Sequence, residues 1–240
     1  MDKLPFSINP CPIIEAIFEI RFESSFPGDA IFGIVFNKFK DEFQNVEQLP
    51  ILQLPAAIRD QDPNLKFTPH YKIKNDNFII QIGPNVFSLT NLKEYCGWSI
   101  FSKKIFDTFN KLSELNLIQK QFRTALRYIN VLPGINVFEK TNLGIHLNDE
   151  KLGEKQINLT AEIPHKHGSS NLKLINFAEV IFEKQPIKGS IVDIDTHVQH
   201  DKFEKFEEAV ECAHAAEKEL FFRLLGKEFL KTLNPVYEGK

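Results

Sequence analysis

Residues 13–22 read IIEAIFEIRF, and this alternation limits the fold more than any other stretch of the chain. Side chains of an extended strand point to opposite faces in turn. Ile14, Ala16, Phe18, Ile20 and Phe22 therefore line one side, and Glu15, Glu19 and Arg21, with Ile17, line the other. A sheet with one apolar face must bury it under a second layer. The next segment offers that layer. Pro27-Gly28 turns the chain, and Asp29 is placed to cap a helix over about 30–44, where Phe32, Val35, Phe36, Phe39 and Phe43 recur at helical spacing. Such a stripe is core material before it is a ligand box. The chain holds 23 phenylalanines against one tryptophan and four tyrosines. Phenyl rings carry no polar handle, so most of them belong inside.

The same reading extends along the chain. Residues 45–65, with Pro50, Pro55 and Pro63, read as an extended connection. A three-stranded meander follows at 67–74, 78–82 and 86–90, turned by Asn75-Asp76-Asn77 and Gly83-Pro84-Asn85. Trp98, Phe101, Ile105, Phe109, Leu112 and Leu115 mark a helix over 98–116, and 122–132 is a strand. The first half is thus β-α-β-β-β-α-β, a split βαββαβ core with one added strand. Residues 133–154 read as irregular and as the boundary of two subdomains, 1–132 and 133–240, packed as one unit. After it come strands at 157–163, 171–184 and 189–199, with Pro186 as a breaker. Asp201 and Glu204 form a capping box for a helix over 203–225. The expected fold is α+β, antiparallel sheets with three main helices, its second half β-β-β-α. One five-residue echo, Glu15–Glu19 against Glu179–Glu183, is too short to indicate a duplication.

Charge narrows the function classes. The net charge is −3, without the basic excess of a dedicated nucleic-acid binder, so nucleic acid is not an expected partner, although a local basic groove stays open. No apolar run reaches the roughly 18 residues that span a bilayer, and the first residues do not form a secretory leader. The expected location is cytoplasmic, without membrane association. Cys11, Cys96 and Cys212 are too few and too far apart for a disulfide framework and read as reduced, buried thiols.

Several stretches together resemble one family: residues 12–22 (PIIEAIFEIRF), Ile82-Gly83-Pro84, Tyr95-Cys96-Gly97-Trp98, Leu126–Asn130 (LRYIN), Asp193-Ile194-Asp195, and the late helix with His214 and Phe221. They are similar to a sporadically distributed family of prokaryotic proteins of about this length for which no activity is assigned. The resemblance covers nearly the whole chain and implies no chemistry. A patchy distribution implies mobile genes, as in defence loci.

Motifs that carry chemistry are sparse. No phosphate-binding glycine loop, nucleophile elbow or HExxH helix is present. Asp193, Asp195 and His197 alternate along one strand and present two carboxylates and an imidazole to one side, the donor types a divalent ion takes. Glu179, His200, His165 and His167 could add ligands. Val192, Ile194, Thr196 and Val198 form the opposite face, so alternation alone predicts a polar solvent face here, and one strand supplies no closed ligand set. The second candidate joins Tyr95 and Trp98 with Arg127 and Asn130, because an arginine fork beside aromatics takes carboxylates, phosphates or bases. Against it stands an arginine paired to Glu15 or Glu19 across the sheet. The acids Glu204, Glu207, Glu208 and Glu211 read as a solvated helix face.

The sequence therefore points to a binding protein without catalytic residues or cofactor, with a protein or small-ligand partner and with self-association left open. The alternatives are a metal-dependent hydrolase or nuclease on Asp193, Asp195 and His197, and an RNA-binding module on the split βαββαβ sheet.

Overall fold

A computed structural model of the chain describes residues 3–91, 94–182 and 185–237. The elements, in order, begin with β1 (Ile13–Ser24), α1 (Gly28–Phe39), β2 (Asn45–Gln48), α2 (Ala56–Gln61), β3 (Tyr71–Lys74), β4 (Phe78–Gly83) and β5 (Val86–Asn91). Next come α3 (Trp98–Ser113), β6 (Ile118–Pro133), α4 (Val137–Lys140), β7 (His146–Leu147) and β8 (Glu150–Lys151). The chain continues with β9 (Asn158–His165), β10 (Gly168–Phe182), β11 (Gln185–Gln199), α5 (Phe206–Leu224) and α6 (Lys227–Thr232). The fold is α+β with antiparallel pairing, and α1, α3 and α5 are its long helices.

The contacts divide the chain into two compact units. The first is Glu15–Leu126 with His197–Glu211; the second is Met1–Ile14, Arg127–Thr196 and Cys212–Lys240.

In the first unit the strands run β2-β3-β4-β5-β1-β6. The four strands β4-β5-β1-β6 with α1 and α3 are the split βαββαβ arrangement, and β3 and β2 extend it on one side. The alternation of β1 is kept, with Ala16, Phe18, Ile20 and Phe22 buried. The expected helix stripe buries Val35 and Phe39, while Phe32 stacks on Tyr71 with ring centroids 3.8 Å apart. Phe206, at the start of α5, stacks on Phe109 (3.5 Å) and meets Phe18 edge-on (5.7 Å). A ring from residue 206 therefore completes a core that the N-terminal half begins. Gly83 is fixed by a close approach: a Cβ there would lie 2.6 Å from the Thr68 carbonyl oxygen.

In the second unit the strands run β6-β11-β10-β9. Leu132, Leu172, Leu174, Val192 and Ile194 pack with Leu220, Phe221 and Leu224 of α5 into one apolar cluster. Buried polar side chains tie down the segment between β6 and β9. Asn176 accepts from the Ile157 N–H (2.7 Å) and donates to the Lys155 carbonyl (2.7 Å). Ser190 donates to the Ile135 carbonyl (2.6 Å) and accepts from the Val137 N–H (2.9 Å). The ladder with β9 reaches Ile175, opposite Asn158, and Phe177 has a positive φ of 52°, so β10 changes course just past the last paired residue.

Four sequence expectations differ from the structure. Residues 45–65 are more than an extended connection, because they hold β2 and α2. The stretch 133–154 contains α4, β7 and β8. Helix α5 begins at Phe206 and Asp201 lies in a short 3-10 turn, so no capping box forms there. Pro186 sits near the start of β11, where a missing N–H is tolerated, and does not break a strand. The echo at Glu179–Glu183 ends outside the described residues.

Candidate functional site

On β6 the side chains alternate between an outward Arg127 and the buried Tyr128 and Asn130. On β11 Val192, Ile194, Thr196 and Val198 are buried, as alternation requires. The two outward faces meet at one pair. Arg127 donates through Nε to Asp193 Oδ1 (2.8 Å) and through a terminal nitrogen to Oδ2 (2.7 Å). This two-pronged geometry matches guanidinium to carboxylate and uses both oxygens of Asp193. Asp193 is 9% exposed. The arginine's carboxylate is thus neither Glu15 nor Glu19. Glu19 instead accepts from Arg21 (2.8 Å) and Arg123 (2.9 Å) in the first unit.

The pair changes what the Asp193, Asp195 and His197 strand offers. An acid whose two oxygens hold a guanidinium has half of its lone pairs committed and a positive charge beside it, which makes it a poorer cation ligand. Among the described residues no group of three or more histidine, cysteine, aspartate or glutamate side chains gathers as a metal centre. Asp195 belongs to the second unit and His197 to the first. The side chain of His200 lies outside the described residues. His165 and His167 flank the β9–β10 turn, where the His167 N–H points to His165 Nδ1 at 3.5 Å.

Asn130 is buried and donates to the Val192 carbonyl (3.1 Å), a cross-strand tie. Tyr95 and Trp98 belong to the first unit. Asn91 holds their loop by accepting from the Cys96 N–H (3.0 Å), Gly97 turns it at φ 84°, and Trp98 opens α3. The tyrosine ring meets Phe101 edge-on, and the indole N–H donates to Glu211 (3.2 Å). Glu211 is therefore a partner of the indole as well as part of the acidic helix face. Cys96 and Cys212 are half-buried and burial pushes both thiols up, while Cys11 is exposed against the expectation of a buried thiol.

Two groupings escaped the sequence reading. The first is internal to the second unit. The Tyr128 hydroxyl lies 3.3 Å from His214 Nδ1, and Glu217, one turn along α5, is buried. Burial lowers His214 to about 3 and raises Glu217 to about 8. Both groups therefore favour their neutral forms inside the fold. Neither groove described for the chain, along α1–α3 or beside α6, is lined by them.

The second grouping is on the first unit. Lys66 Nζ stands 5.5 Å from the Phe67 ring centre and 5.7 Å from that of Phe122. Lys120 stands 5.3 Å from the same Phe122 ring, and the Arg21 guanidinium 5.0 Å from Phe67. Both rings are half-exposed and both lysines exposed. Neither Lys66 nor Lys120 has a carboxylate partner among the described residues. Arg21 and Arg123 both donate to Glu19. Cations and rings thus alternate in this cluster. The Thr68 carbonyl packed on Gly83 anchors the turn that carries Lys66 and Phe67.

Several other lysines of this unit are paired. Lys104 and Lys111 (3.1 Å) both hold Glu42. Burial works to raise that carboxyl, but the hydrogen bonds and charges of the two lysines hold it below its ordinary value. Lys38 pairs with Glu114 in the α1–α3 groove of about 800 Å³.

No family model matches the chain, and no curated protein matches it significantly. No described helix is long and apolar enough to cross a membrane.

Proposed function

We propose that the chain is a binding protein without catalytic chemistry, and that its ligand surface is the cluster of Arg21, Lys66, Phe67, Lys120 and Phe122. One observation carries this reading. Among the described residues Lys66 and Lys120 rest on half-buried rings without a carboxylate, whereas Arg127 of the second unit is already forked to Asp193. A cation over a phenyl ring gains about 0.5–1 kcal/mol at an exposed site. An ionised oxygen ligand offers a stronger, charge-assisted bond, so the lysines are poised to exchange ring for anion. This ligand class is an anionic one, carrying phosphate, sulfate or carboxylate groups.

The sheet-face reading around Tyr95, Trp98, Arg127 and Asn130 gains less support, because Asn130 is buried and Arg127 is engaged. The metal-dependent reading also gains less support, because Asp193 already holds the guanidinium of Arg127. Retention on immobilised heparin tests the proposal. The wild-type chain should bind at low salt, and Lys66→Ala with Lys120→Ala should elute clearly earlier. Passage of the wild type without retention, or identical elution of the double variant, would overturn it.

A further inference from the structure

We infer that the ligand of this cluster is a single-stranded nucleic acid, an assignment that rests on the cluster being the binding surface. The cations alone would suit any polyanion; the rings narrow the class. Phe67 and Phe122 are half-exposed, and each has an ammonium or guanidinium over its face. A simple phosphate or sulfate makes no use of a phenyl face. A base does, because stacking on an aromatic side chain contributes about 1–3 kcal/mol per base whatever its identity. When a base takes a ring face, the displaced lysine has a phosphate of the same strand within reach, so both halves of the cation–ring contact are replaced together.

The dimensions agree. Because Lys66 Nζ lies within 6 Å of both ring centres, the rings are no more than about 11 Å apart. Nucleotides of a helical strand rise about 3.4 Å each along the helix axis, so that gap is a few nucleotides. The scaffold agrees as well. Arg21 projects from the polar face of β1, the strand between β5 and β6, and its guanidinium covers Phe67. The ring therefore stands against the outward side of a split βαββαβ sheet, a face on which single-stranded bases can splay and stack. A duplex keeps its base faces stacked inside and offers no face to a ring, only phosphates and groove edges, so the rings favour a single strand. The net charge of −3 does not exclude this, since the positive groups are gathered locally. It does predict moderate affinity with a strong loss in salt.

The test is fluorescence anisotropy of the full chain with a labelled oligothymidylate of about 12 nucleotides, a matching duplex as competitor, and two sets of variants. The expected result is preferential single-strand binding. Phe67→Leu with Phe122→Leu keeps apolar volume but removes the aromatic faces, and should weaken single-strand binding about tenfold or more while duplex affinity stays nearly constant. Lys66→Ala with Lys120→Ala should weaken both and flatten the dependence on salt by about two counterions. An unchanged melting curve shows that a variant is folded. If the ring pair is destabilised, the surface lysine pair and the wild-type preference for single strand over duplex still decide the question. Equal binding of single strand and duplex, or full single-strand affinity in the folded ring variant, overturns the inference even where heparin retention persists. Loss of heparin retention would instead remove the cluster itself as the binding surface.

Discussion

The two units differ in where their most distinctive polar groups stand. In the second unit several turn inward: Asn176, Asn130 and Ser190 hold backbone groups, Asp193 is forked by Arg127, and Glu217 is buried near the Tyr128–His214 contact. In the first unit the core is built of rings, with Phe206 between Phe18 and Phe109, while Lys66 and Lys120 remain at the surface on half-exposed rings. Polar groups that a fold needs for its own hydrogen bonds are not available to a ligand. The contrast gives structural work to these polar residues of the second unit, and it fits the proposal that the first unit's cluster is the ligand surface.

Substitutions can break this contrast or sharpen it. The largest loss is expected from Phe206→Ala, about 3–5 kcal/mol of stability, because it leaves a cavity among stacked rings. Chemical denaturation measures it. The same logic implies that residues 1–132 expressed alone, which lack Phe206, show poor NMR dispersion. In the second unit Asn176→Ala should cost about 2–3 kcal/mol by orphaning the Ile157 N–H and the Lys155 carbonyl. A loss below about 0.5 kcal/mol would show that water replaces the asparagine and that its role is not structural.

The enclosed ionisable groups make a pH prediction. The native state holds a proton on Glu217 up to about 8, whereas the unfolded chain releases it near 4.5. Between those values the native state binds more protons, so the Glu217 contribution to stability falls as pH rises. His214 works the other way: it resists protonation down to about 3 from an ordinary 6.5, so its contribution falls as pH drops through that range. Glu217→Gln should raise the melting temperature at pH 8 and leave it nearly unchanged at pH 4. An equal shift at both values would mean that packing, and not ionisation, sets the cost of this residue.

Smallest of all should be the effect on stability of Lys66→Ala with Lys120→Ala, within about 1 kcal/mol, since exposed cation–ring contacts are weak. A large loss would give the cluster a structural role and dissolve the contrast.

Much of the fold is legible in the sequence, because periodicity is a local signal. The alternation of β1 and β11 and the stripes of α1, α3 and α5 identify the burying faces. What escapes is short or distant. Strand β2 and helix α2, of four and six residues, are too brief to show a period. The fork joins Arg127 to Asp193 across 66 residues, and no spacing rule links them. The sequence nonetheless presents each half as a candidate, and their pairing is what sets aside both the expected carboxylate at Glu15 or Glu19 and the ready ligand at Asp193. The buried Glu217 left a trace that periodicity could have found: it falls in line with Ala213, Leu220 and Leu224 on the inward stripe of α5. The cluster left only a lysine next to Phe67 and another two residues before Phe122, signals that gain meaning once folding brings the rings under one ammonium.

Amide NMR shifts of the full chain during titration with inorganic tripolyphosphate test the central claim most directly. The account predicts saturable shifts at residues 66–67 and 120–123, with Arg127 and Asp193 unmoved. Shifts centred on Arg127, Asp193 and Asp195, with the cluster silent, would contradict it and return the binding surface to the second unit.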